Sequence, residues 1–284
     1  MSLKEILDNL YEKRSAAHLA NDPLSFVHRF ADTADREVAG LIASSFAYGN
    51  VKIILRNLER VFGVIGPSPR AFVEKFEPRQ GQMLFSGFKH RFNDGRDLCA
   101  LLFAIRIMIE QAGSIEGFFT ARDTGKADDI TPALASFSEA VLNLDYNPVF
   151  GGPVPADSYF PFLFPSPSSG SACKRLCMFL RWMVRPADGI DLGVWSRISS
   201  SRLVIPVDAH IQRIGRYLGL TGRRQADWKM AREITQSLRR MAPEDPVKYD
   251  FSLCHLGISE KCDGKDRLIC LTCPIAGVCK GAVK

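Results

Sequence analysis

Four cysteines crowd the end of the chain, Cys262, Cys270, Cys273 and Cys279, spaced C-x7-C-x2-C-x5-C. Thiolates are soft ligands, and four in so short a stretch suit an iron–sulfur cluster or a zinc ion. Zinc ribbons pair two short C-x2-C knuckles, and only Cys270 to Cys273 makes one here. The spacing therefore points first to a [4Fe–4S] cluster, with zinc as the alternative. Two other stretches could carry chemistry. Ser168-Ser169-Gly170-Ser171-Ala172-Cys173-Lys174-Arg175 is a small-residue turn running into an apolar segment. A helix opened by such a turn offers backbone N–H groups and a positive dipole end to an anion such as phosphate. Further on, Ile205-Pro206-Val207-Asp208-Ala209-His210 sets a lone carboxylate between an extended lead and a helix with Ile211, Ile214 and Leu218 on its apolar face. By position alone Asp208 is an N-cap.

The elements that must hold these residues are helical. Asp35 is a plausible cap for Val38, Leu41, Ile42 and Ser45, which share one face. Val51, Ile54, Leu55 and Leu58 repeat the pattern, Leu98 to Ala112 reads as a buried helix, and Leu134, Phe137 and Val141 mark another. Trp228, Ala231, Ile234, Leu238 and Met241 form a later stripe, and Asp245-Pro246 reads as the start of a helix. No alternating run is long enough for a sheet, so the fold class is all-α. Between Pro148 and Pro167, six prolines and five aromatics bar a helix. This stretch reads as an ordered crossover, either packed on the surface or lining a cleft. It divides a helical region over 1–147 from a region over 168–250, followed by the cysteine loop over 251–284. Cys254 and His255 lie ahead of the quartet and read as core.

The 284 residues can bury a sizeable core, and 46% hydrophobic with 24% charged residues is an ordinary globular composition. No long uncharged apolar run and no basic-then-apolar start is present, which argues against membrane insertion and secretion and for a cytoplasmic monomer. A reducing compartment leaves the cysteines unpaired by disulfides. The net charge of +6 is uneven, because Gly170 to Asp250 holds 15 Lys and Arg against 8 Asp and Glu. That local excess suggests a polyanion partner, nucleic acid first.

In their order along the chain these pieces make a pattern. A small-residue hairpin, then Pro206-Val207-Asp208-Ala209-His210 followed by Arg213, then the four-cysteine tail resembles the helix-hairpin-helix DNA glycosylase superfamily, typified by endonuclease III. The likeness is closest to an uncharacterised helical family within it and spans roughly Ser168 to Cys279, with a looser match over Asp35–Phe62. It implies a two-lobed helical fold, DNA as partner and removal of a damaged base. Asp208 falls on the catalytic aspartate, and Lys174 is the candidate for the lysine nucleophile of members with lyase activity. Gly170, Ser171, Arg175 and Arg213 would touch DNA, and Cys262, Cys270, Cys273 and Cys279 fall on the [4Fe–4S] ligands. Lys261, Lys265, Arg267 and Lys280 beside them are candidates for further phosphate contacts. Trp182, Trp195 and the crossover phenylalanines are candidates to stack on an extruded base. The hairpin keeps one glycine of the usual two, and the first cysteine gap is one residue longer than in endonuclease III. Lys174 and Asp208 are 34 residues apart, much as in the archaeal oxoguanine glycosylases. The competing expectation is a DNA- or RNA-binding protein that keeps the fold and the cluster without base chemistry.

Overall fold

Apolar residues at every third or fourth position can be buried together only on helices, and helices dominate. The computed structural model describes residues 1–13, 16–259, 262 and 266–281, with helix over 57% of the chain and strand over 2%. The chain begins with α1 (Leu3–Glu12), α2 (Leu24–Val27), α3 (Thr33–Ser45), α4 (Val51–Ile65), α5 (Pro69–Glu74) and α6 (Pro78–Leu84). A hairpin of two-residue strands, β1 (Lys89–His90) and β2 (Asn93–Asp94), leads to α7 (Gly95–Ala112), α8 (Ile115–Thr120), α9 (Thr131–Leu142) and α10 (Asn147–Phe150). After the crossover come α11 (Lys174–Val184), α12 (Ala209–Tyr217), α13 (Trp228–Arg239), α14 (Asp250–Ser259) and α15 (Arg267–Thr272).

Two helices far apart in sequence form the centre. α11 packs along α3, where a Cβ added to Gly40 would sit 2.7 Å from the Met183 methyl and 3.3 Å from the Phe179 ring. A side chain there would have to displace the Met183 methyl and press on the Phe179 ring. α7 is capped by Asp94 and buried over most of its length, as its apolar run requires. Each of its fully buried leucines contributes about 1.5–3 kcal/mol. The buried apolar side chains form one cluster from Ile6 to Ile275, and α1 packs on α14. The two lobes that the resemblance implies are thus not divided by any break in the core.

Several local expectations shift. The cap of α3 is Asp32, whose carboxylate accepts from the Ala34 and Asp35 amides. Asp35 lies inside the helix, buried, and accepts from Ser68 Oγ and the Arg70 amide instead. Asp245-Pro246 does not open a helix, because Asp245 pairs with Arg185 at 2.9 Å and α14 starts only at Asp250. The crossover is ordered, with Phe160, Leu163 and Phe164 buried and Tyr159 and Phe162 exposed. The turn before α11 follows a single 3-10 turn, Pro167–Ser169, rather than a helix. No helix among the described residues is long and apolar enough to cross a membrane.

Candidate active site

The α3–α4 loop, the start of α11, the start of α12 and the inner face of α14 enclose a cavity of about 780 Å³. Lys174 and Asp208 both line it. Lys174 is the first residue of α11, after Cys173 in the left-handed region at φ +48°, and its Nζ donates to the Ala47 carbonyl at 3.2 Å. Pro206 keeps the lead into α12 extended. Asp208 then caps that helix, with Oδ1 accepting from the His210 amide at 2.9 Å and the Ile211 amide at 2.8 Å. Its other oxygen accepts from the Cys254 thiol at 3.4 Å. The cap and the cavity residue are therefore one side chain, and capping fixes the direction in which the carboxylate faces.

A second carboxylate stands behind the first. Asp250, at the start of α14, lines the same cavity and pairs with Arg181 of α11. Burial, aided by the nearby Asp208 charge, pushes Asp250 up to about 6 against the pull of Arg181. Arg181 also donates to Asp191 at 3.1 Å, and Asp191 pairs in turn with Arg185. Arg185 reaches Asp188 at 3.1 Å as well as Asp245. So many anions around Arg181 and Arg185 hold both firmly charged despite burial. Asp22, also on the cavity, faces His255 at 3.9 Å and accepts from the Leu24 amide at 2.8 Å. Although burial works against ionisation, these contacts and Arg181 keep Asp22 below its ordinary value. Cys254 is the reverse case: burial and the charges of Asp208 and Asp250 push its thiol well up.

Cys254 and His255 are thus not simple core, since both line the cavity. Asp250, Asp22 and Tyr48, which also line the cavity, were not singled out from sequence as site residues. The i, i+4 spacing of Asp250 and Cys254 was the available signal, since it puts both on one face of a helix. His210 accepts from Arg213 Nη2 at 3.2 Å and packs on Gly257, where a Cβ would come within 2.7 Å of the ring.

The expected DNA contacts fare unevenly. Gly170 is exposed at φ +80°, but its carbonyl accepts from the Trp228 amide and Ser171 bridges to Asp227, so this turn is clasped to the start of α13. Arg175 does not face solvent. It is 6% exposed, with nitrogens donating to the carbonyls of Ser45 and Phe162, because the face of α11 that carries it packs inward. Arg213 is half-buried beside His210. Trp182 and Trp195 are core residues, and Trp195 donates to Glu37 at 2.8 Å.

The four cysteines share one terminal loop, buried at Cys262 and half-buried at Cys270, Cys273 and Cys279, and none is in a disulfide. Burial raises the Cys273 thiol, and Cys262, Cys279 and Cys270 lie close enough to raise it further. As they stand, no three such side chains among the described residues form a group that could hold a metal ion. The loop returns to α12, with the Lys280 amide donating to the Tyr217 carbonyl at 2.8 Å. Lys261 and Lys265 lie outside the described residues, as does the side chain of Arg267.

Fold and cavity together define a helical protein with a lysine and an aspartate lining one open cavity. Over residues 22–259 the chain matches, and belongs to, the family described as "Protein of unknown function (DUF2400)". That match includes Lys174 and Asp208 and ends before the cysteine quartet. No curated protein and no solved structure matches the chain.

Proposed function

We propose that this chain is a DNA base-excision enzyme of the helix-hairpin-helix glycosylase type, an N-glycosylase with lyase activity through Lys174. The observation that carries this reading is the meeting of Lys174 and Asp208, 34 residues apart in sequence, on one cavity. The cavity volume is within the range of small-molecule sites, roughly 300–1,000 Å³, enough for an extruded nucleotide. Breaking the bond between base and sugar builds positive charge on the sugar, and the fixed Asp208 carboxylate stabilises it. The Lys174 amine, when neutral, attacks C1′ as the base leaves with the bonding electrons, and ring opening gives an iminium. Loss of a C2′ proton then expels the 3′ phosphate. Cys254 and the two helix amides hold Asp208 in place.

Cys262, Cys270, Cys273 and Cys279 are assigned to a [4Fe–4S] cluster, with zinc as the alternative. Four thiols free of disulfides are the donor type such a cluster takes, and their side chains would have to converge to bind it. When bound, it would stabilise the loop that returns to α12. Lesion-bearing oligonucleotides test the enzyme directly. Asp208→Asn should lower base release by about 10²–10³ while DNA binding persists; equal turnover in that variant removes Asp208 from the mechanism. A second reading, a nucleic-acid-binding protein without base chemistry, is favoured by the inward-turned Arg175 and the single 3-10 turn before the hairpin. Tight binding with no release from any lesion would select it.

A further inference from the structure

The hairpin β1–β2 turns through two residues, Arg91 and Phe92, and Arg91 takes φ +53°, a region that side chains with a Cβ rarely adopt. Such strain persists only where surrounding contacts fix it. Here His90 makes hydrogen bonds to the Tyr48 carbonyl and to Asn57, each at 3.0 Å, and the Tyr48 hydroxyl donates to Asn93 Oδ1 at 2.6 Å. The hairpin is therefore fixed to the loop that rims the cavity. Gly49 in that loop has φ +99°, and a Cβ on it would meet the Arg91 chain at 2.9 Å, so Arg91 lies flat across the rim.

The strained turn leaves an apolar shelf in solvent. Phe92 is 47% exposed and stacks on Tyr159 of the crossover, itself 45% exposed, with centroids 5.1 Å apart and planes at 20°. Phe162, 43% exposed, packs edge-on against Tyr48 at 5.2 Å, and Tyr48 lines the cavity. Asn93 holds the two parts together by donating to the Tyr159 carbonyl at 2.9 Å. Arg91 stands 5.3 Å from the Phe92 ring, and Lys89 is exposed next to it. Folding alone gives no reason to leave three large rings in water around a cation. Exposed aromatic rings with an interleaved cation are what unpaired bases and their phosphates bind.

We infer that Phe92, Tyr159 and Phe162, with Arg91 on the rim, form a stacking shelf for unpaired bases of the nucleic-acid strand that continues out of the cavity. This rests on the base-excision reading for the nucleotide in the cavity, and it adds that the flanking nucleotides are held single-stranded. Tyr48 links the two, since it lines the cavity and packs edge-on against Phe162.

The test uses the full chain and a single-stranded oligonucleotide with 2-aminopurine beside an abasic-site analogue. Wild-type protein should change the 2-aminopurine fluorescence on binding. Phe92→Ala should weaken binding about tenfold and remove that change, whereas Phe92→Trp should keep both. Arg91→Gln should lower the slope of log affinity against log salt by about 0.7, one single-strand phosphate contact. Phe92→Ala binding with wild-type affinity and signal overturns the shelf, as does a wild-type protein that binds no oligonucleotide, which would leave the rings to a protein partner. Base release that proceeds with an unaffected Phe92→Ala sinks the shelf and spares the enzyme reading. A Phe92-dependent signal without release from any lesion does the opposite.

Discussion

The cavity and the cysteine loop are built on opposite principles. Around the cavity, the charged groups have partners within the chain: Asp208 on two helix amides, Asp250 on Arg181, Arg181 on Asp191, and Arg185 on three aspartates. The cysteine loop has little of this. Its short helix α15 leaves Leu268 and Leu271 more than 70% exposed, while Cys273 and Cys279 pack against the core and the Lys280 amide bonds back to α12. A site complete in itself can be probed one residue at a time. A loop of four thiols and exposed leucines is better probed as a whole, through the cluster proposed for it.

The largest effect should separate chemistry from architecture on the cavity side. Asp208→Asn keeps an acceptor for the helix amides and loses the charge, so base release should fall by about 10²–10³ with little change in melting temperature. A large drop in melting temperature with equal residual activity would mean that Asp208 serves only as a cap. The next test falls on the loop. Where the protein carries the proposed cluster, removing it with a chelator should open the tail after α14 to protease while the core through α13 stays protected; global unfolding would show that the two regions are not independent. Third, Gly257→Ala would place a Cβ 2.8 Å from the His210 Cβ, a clash that swinging the ring cannot relieve. It should cost about 1–3 kcal/mol in denaturant unfolding by pushing α14 off α12, and an unchanged midpoint would contradict that packing.

The smallest effect concerns Asp250. Its native value of about 6 lies above the ordinary 3.8, so its share of stability is fully present below about pH 4 and is lost as pH rises through 6. Asp250→Asn should flatten the stability profile across that window. A profile that stays parallel to wild type would place the titration on another group.

What sequence made legible follows what is local. α9 and α13 could be read because their buried residues Leu134, Phe137 and Val141, and Trp228, Ala231, Ile234 and Leu238, recur at helical spacing on one face. Asp35 was the expected cap of α3, and Asp32 takes that role while Ser68 and Arg70, more than thirty residues away, draw Asp35 inward. Arg175 invited a DNA contact because a position near a helix start does not reveal which face α3 covers. Asp250 was missed for the same reason, since its partner Arg181 lies 69 residues earlier. Lys174 and Asp208 were found because the order of motifs named them, while their common cavity depends on the packing of four separate segments.

The central claim, an amine and a carboxylate acting on one extruded nucleotide, is tested most directly by borohydride trapping on lesion-bearing DNA with peptide mapping of the adduct. The account predicts a covalent protein–DNA species attached at Lys174, absent in Lys174→Gln. An adduct mapped to another amine, or one that survives that substitution, contradicts it.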